Sequence, residues 1–372
     1  MSDNTHPGFH TLSLHAGATF GLADATAMLE ERIAALEGGV AAIATASGEL
    51  ALHLAISTIA SAGAHIVASR ALHGGSCRLL AATLKRFGIH TTFVDPRDID
   101  GWRAAIQPET RLLFAETLGG AGLEVLDIPA VAAIAHQHHL PLMVDATLTT
   151  PWLLKPLDQG ADLVLHAAAM GGLLVDGGTF DWQAAYEHTG RYAELCEPCD
   201  TLPGVVFAEE STVAAFALRA RHENLAPLSP HHAAAILHGL ETLPLRMERH
   251  VANTRKVVAL LAGHPAISAL HYPELPTHPD YAVAQRLLPK GCGSTLSFNV
   301  QGALRFTDAL QVFSAAQDLG GARSQIIPPE SDDARVHLSI GLEDADDLLA
   351  DLSRALKLAQ LAQQQQLQLK GA

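Results

Sequence analysis

Cysteine, positive charge, lysine above all, and long apolar runs are scarce in this chain. There are 4 cysteines in 372 residues, Cys77, Cys196, Cys199 and Cys292. That is too few for a disulfide scaffold, and reduced thiols in a cytosol are the expectation. Lys and Arg total 24 against 39 Asp and Glu, for a net charge of −15. Nucleic-acid backbones and anionic membrane surfaces both attract Lys and Arg, so neither partner is expected. No apolar run reaches the length of a membrane-crossing helix. The start, "MSDNTHPGFHTLSLHAG", lacks a basic segment followed by an apolar one, so no signal peptide and a cytoplasmic location are expected. Lysine occurs only as Lys85, Lys155, Lys256, Lys290, Lys357 and Lys370.

What is present is enough apolar sequence, 48%, for two domains with cores of their own. Continuous apolar runs at Ala42–Thr45, His65–Ser69, Thr91–Val94, Arg111–Ala115, Leu140–Val144 and Asp162–His166 predict strands buried on both faces. Helical patterns at Leu50–Ala60, Cys77–Phe87 and Ala130–His138 separate several of them. That alternation predicts an α/β domain with a mostly parallel sheet. After Pro227 the pattern turns to long helices, with Ser229 and Pro230 as cap and first-turn proline. Strand candidates "STLSFNV" and "RVHLSI" follow, then a closing helix from about Asp344. The expected division is an N-terminal arm and helix (1–45), a large α/β domain (46–226) and a smaller α+β domain (227–372). The Gln-rich end, "LAQQQQLQLKGA", reads as a helix extension without chemistry.

Two motifs carry chemistry. In "ATASGELALHLA" a turn of small residues, Ser47-Gly48-Glu49, joins a strand to a helix. Free backbone N–H groups there can receive an anion. In "LMVDATLTTP", Asp145 ends a buried strand, at the sheet edge where ligands of open α/β folds bind. In this order the motifs resemble the Cys/Met-metabolism class of PLP-dependent enzymes, closest to the O-acetylhomoserine sulfhydrylase branch. "TLSLHAG", "LEERIAALEGGVAAIATASGE", "FAETLGG", "VDGGTFDW", "LSPHHAAAILHGLETLPLRMERH" and "LPKGCGSTLSFNV" extend the resemblance almost end to end. It implies a type I PLP fold, a homo-oligomer (dimer or tetramer), and pyridoxal phosphate bound by Ser47, Gly48, Glu49, His73, Asp145, Thr147 and His166. Arg335 and His337 would meet an amino-acid-like substrate.

The chain departs from the pattern where the chemistry is hardest. PLP chemistry needs a lysine to form the Schiff base and then move protons. The family's His-Ser-x-Thr-Lys corresponds to His166-Ala167-Ala168-Ala169-Met170: two phosphate-binding hydroxyls become alanine and the lysine becomes methionine. The glycine-rich loop that follows is shorter. The family's Tyr-x-Arg arm is absent from "ATFGLADATAMLEE". Each lost charge-assisted phosphate contact removes roughly 1.5–3 kcal/mol. The ring-stacking tyrosine is His73, an asparagine is Gly120, and the carboxylate-binding arginine is His337, with Arg335 two residues earlier. Glu49 puts a carboxylate beside the phosphate turn.

Three functions follow. The first is a catalytically degenerate family member acting as a non-catalytic or regulatory partner, alone or in mixed oligomers with an active paralogue. The second is an active enzyme making homocysteine from O-acetylhomoserine and sulfide with PLP held in a non-standard way. The third is a cleft that takes another small molecule through His73, His166 and His337. Cys196-x-x-Cys199 lacks a second pair at zinc spacing, so two reduced thiols in a surface loop are expected. No metal site is expected among the 21 histidines.

Overall fold

The computed structural model describes residues 24–168, 170–315, 319–327, 329, 331 and 335–370. Most of the expected arm and position Ala169 lie outside them. The chain forms two compact units. The first holds residues up to Gly119 and Leu126–Glu241; the second holds Gly120–Val125 and Thr242 onward.

The first unit is built on seven strands: β1 (Ala41–Thr45), β2 (His65–Ser69), β3 (His90–Val94), β4 (Thr110–Glu116), β5 (Leu142–Asp145), β6 (Leu163–Ala168) and β7 (Gly171–Asp176). Their order across the sheet is β1-β7-β6-β5-β4-β2-β3. β2, β3, β4, β5 and β6 pair in parallel, while β7 runs antiparallel to both β6 and β1. The expected strands are all present, with ends moved by one or two residues.

Strand β7 was not expected, because "GGLLVD" opens on two glycines. Those glycines are what allow it. A Cβ on Gly172 would stand 2.3 Å from the Ser47 carbonyl oxygen, and one on Gly171 2.7 Å from a Leu228 methyl. The strand fits against the β1 end only with bare backbone there.

Successive strand residues face opposite ways, and two cores result. Ile43, Leu163, Leu165 and Leu174 pack with helix α2 (Gly48–Ile59). Ala42, Ala44, Val164, Leu173 and Val175 pack with α1 (Ala25–Glu37) and a helix at Pro230–Glu241. The cap expected at Ser229 forms: its Oγ accepts from the His232 amide at 3.3 Å. Ser47 also caps a helix, its Oγ accepting from the Leu50 amide at 3.2 Å. The helix expected over Cys77–Phe87 begins earlier, as α3 (Gly74–Arg78), and continues through a π-turn at Leu79–Thr83.

The second unit carries a long helix, Leu243–Ala262, a five-stranded sheet and the closing helix Ala345–Lys370. Two of its strands, Thr295–Val300 and Val336–Ser339, are those expected, and they pair antiparallel. Among the described residues no helix is long and apolar enough to cross a membrane.

Candidate functional site

The parallel strands of the first unit bring a row of polar residues to one edge. Glu116 ends β4 and Asp145 ends β5, and the two are partners in the strand register. Asp145 also faces Leu165 of β6. Both carboxyls are buried, at 6% and 9% exposure. Such burial favours the uncharged acid, and it holds each above the ordinary carboxylate range. Thr147 opposes this at Asp145: its amide donates to Asp145 Oδ1 at 2.8 Å. The Thr147 hydroxyl in turn accepts from the Ala167 amide at 2.8 Å, tying the turn after β5 to the end of β6.

His73 follows β2 and stands just before α3, without a side-chain capping bond. Its amide donates to Glu116 Oε1 at 2.8 Å and its Nδ1 lies 3.3 Å from Glu116 Oε2. The hydrogen bond to Glu116 raises the imidazole above its ordinary range, against the effect of burial. One ring nitrogen is committed to a carboxylate, and the side chain remains half-exposed. A carboxylate on Nδ1 orients an imidazole for proton transfer at Nε2.

Ser47, Gly48 and Glu49 form the turn into α2. The Ser47 hydroxyl caps that helix. Gly48 passes so close to β6 that a Cβ would lie 2.5 Å from Ala167 Cβ. Glu49 Oε1 accepts from Arg78 Nη2 at 2.9 Å, with both side chains exposed. A pocket of about 230 Å³ opens here, lined by Ser47, Glu49, His53 and Arg78 among others. The carboxylate beside this turn is therefore matched by a guanidinium.

His166 points its Nε2 to Glu37 Oε1 at 2.6 Å, with both residues buried. The second Glu37 oxygen is buried without a hydrogen-bond partner. Glu37 ends α1 in "LEERIAALEGG", and nothing in the sequence links two residues 129 apart. Met170 lies in a two-residue turn between β6 and β7, where Ala168 and Gly171 are register partners, and is 41% exposed. Lys155 is half-buried beyond a short helix at Thr150–Leu153. Arg335 and His337 belong to the second unit, where His337 on Val336–Ser339 pairs with Ser297 and Ile327. Both are half-buried.

The family model for Cys/Met metabolism PLP-dependent enzymes matches residues 23–357. The chain belongs to that family. It is 39% identical over 396 residues to O-acetyl-L-homoserine sulfhydrylase of Leptospira meyeri, covering 92% of this chain and 88% of that protein. A solved putative O-acetylhomoserine (thiol)-lyase from Campylobacter jejuni superposes with a TM-score of 0.84 at 32% identity, covering 89% of this chain and 85% of that one. That structure carries a pyridoxyl-lysine phosphate. O-Acetylhomoserine sulfhydrylase of Wolinella succinogenes gives a TM-score of 0.81 at 33% identity, with 89% and 96% covered. The expected type I PLP architecture is confirmed by these likenesses.

The donor set at the sheet edge can be weighed against the family's cofactor. Asp145 suits a protonated ring nitrogen, and the Ser47–Glu49 turn offers helix-end amides to an anion. Ala167 brings a methyl group, pressed against Gly48, where the resemblance implies a phosphate-binding hydroxyl. The thioether of Met170 carries no N–H and cannot form an imine. Met170, at the position the resemblance aligns with the lysine, does not fit a covalent anchor for pyridoxal phosphate.

Proposed function

We propose that this chain is a sulfhydrylase-type member of the Cys/Met-metabolism family without lysine-based PLP chemistry. It acts in the cytoplasm as a non-catalytic or regulatory partner, in a homo-oligomer or in mixed oligomers with an active paralogue. One observation carries the reading: the two-residue turn joining β6 to β7, with Met170 at the position that the resemblance aligns with the lysine. A longer glycine-rich loop would leave room for a side chain to turn back toward Asp145. Here the register continues to Ala168 and Gly171, so the chain reverses at once. The family's chemistry requires an amine within reach of the ring held by Asp145.

The test is a visible-absorbance titration of the purified protein with PLP, followed by borohydride reduction, peptide mapping and an assay of O-acetylhomoserine plus sulfide. No shifted band, no lysine adduct and no homocysteine are expected. A mapped adduct, or homocysteine formed with PLP supplied, would overturn the reading in favour of an active enzyme. Co-purification with a tagged active paralogue tests the mixed oligomer; recovery of self-associated chains alone removes that part.

The pairing of His73 with Glu116 favours a second reading, in which the cleft takes another small, amino-acid-like molecule. A thermal-shift screen of amino acids and nucleotides addresses it, and stabilisation by none of them would count against it.

A further inference from the structure

The pair Cys196 and Cys199 lies in the first unit, in residues that the cleft does not use. The two thiols have opposite surroundings. Cys196 ends a short helix, Ala193–Cys196, and its Sγ donates to the Trp182 carbonyl at 3.6 Å. Burial, together with Asp181, Glu187, Glu194 and Glu197, pushes this thiol up to about 11.

Cys199 is half-exposed in the loop that follows. Its amide donates to the Val205 carbonyl at 2.8 Å, which holds the loop in place. Its Sγ lies 3.2 Å from Thr201 Oγ1, and Thr201 Oγ1 lies 3.0 Å from His222 Nε2. His222 stands on the helix Ala215–Glu223, with its ring 6.3 Å from that of Phe207. The same helix supplies Arg219, which is paired with Glu223. The Thr201 hydroxyl, the Thr201 and Leu202 amides and the Arg219 charge all act to lower the Cys199 thiol.

A hydroxyl has one proton to give and lone pairs to accept another. Thr201 can therefore accept from the Cys199 S–H while donating to His222 Nε2. Moving both protons one place leaves a thiolate, an unchanged hydroxyl and an imidazolium, with charge conserved. The thiolate is the reactive form of cysteine. Threonine thus bridges a thiol and a base that lie on different segments.

We propose that Cys199 is a nucleophilic, oxidisable thiol activated through Thr201 by His222, and that Cys196 is its resolving partner. The oxidant class is a peroxide. The thiolate attacks one peroxide oxygen, the O–O bond breaks, and the departing oxygen leaves as water after taking up a proton. The resulting sulfenic acid is attacked by the Cys196 sulfur; an S–S bond forms, the S–O bond breaks, and hydroxide leaves with the Cys196 proton as water. Two electrons pass from the thiols to the peroxide. The step needs neither the cleft nor any cofactor, so it stands apart from the proposed function.

The test uses the reduced full-length chain, pulsed with iodoacetamide across a pH series and mapped by peptide mass. At pH 8, Cys199 is expected to label at least roughly tenfold faster than Cys196, even allowing for the greater intrinsic reactivity of a more basic thiol. Its rate should also rise at lower pH than that of Cys196. Thr201→Val and His222→Asn should each move the Cys199 curve to higher pH and leave Cys196 labelling alone. Hydrogen peroxide should yield a peptide linked through Cys196 and Cys199. Equal labelling rates in the unaltered protein, a Cys199 curve indifferent to Thr201→Val, or oxidation of Cys199 without the Cys196 link would overturn the proposal.

Discussion

His73 stands at the edge of the cleft, beside the buried carboxyl that ends β4. From the sequence it read as a ring able to stack. In the structure it is bonded twice to Glu116, through its amide and through Nδ1. Glu116→Gln removes the charge that holds the imidazole proton, so the His73 pKa should fall. Following its ring protons by NMR against pH would show this, and an unmoved titration would remove Glu116 as the cause. The sign follows from linkage. A histidine raised in the folded state adds stability below its unfolded value of 6.5. That contribution disappears as pH rises through the folded value. Asp145 was legible because an acid that ends an apolar run has few other places to be. The pairs His73–Glu116 and His166–Glu37 were not, since they are made by register between distant segments.

At the scale of elements, the parallel strands were legible because a strand buried on both faces must be apolar throughout. Strand β7 was hidden because its glycines, which mark loops in general, here serve a close backbone approach. Gly172→Ala should therefore destabilise by about 3 kcal/mol or more, because the obstructing atom is a backbone carbonyl that cannot swing aside. Urea denaturation would measure it, and a loss below about 0.5 kcal/mol would mean that β7 shifts freely. On the proposed function, an amine alone should not anchor pyridoxal phosphate. Met170→Lys is expected to give no borohydride-trapped pyridoxyl adduct at residue 170, because the turn stays at two residues and Ala167 still supplies no hydroxyl. A trapped adduct there would show that the lysine was the only missing part.

For the whole molecule, the far end of β7 sets an acid-base property. Asp176 is buried at 2% exposure, accepts from the Gly178 and Ala217 amides, and lies near Asp162. Burial pushes its carboxyl from 3.8 up to about 7. The folded chain therefore holds a proton that the unfolded chain has released. The contribution of Asp176 to stability is fully present below about pH 4 and falls as pH rises to about 7, by roughly 4 kcal/mol at 1.36 kcal/mol per unit. The melting temperature of the unaltered protein, minus that of Asp176→Asn, should therefore decline between pH 5 and pH 7.5. A constant difference would contradict this assignment. The net charge of −15 gave no hint of such a group, because a total does not tell which carboxyls are buried.

The brevity of the β6–β7 turn also bears on the protein's history. A changed side chain can be reversed by one codon, but a reversal of the chain direction after two residues cannot. On the proposed function, placing an amine toward Asp145 would take inserted residues together with polar replacements on β6. On that reading, the hairpin acts as a ratchet: a chain that reverses here meets new ligands or partners more readily than it gains an amine beside Asp145.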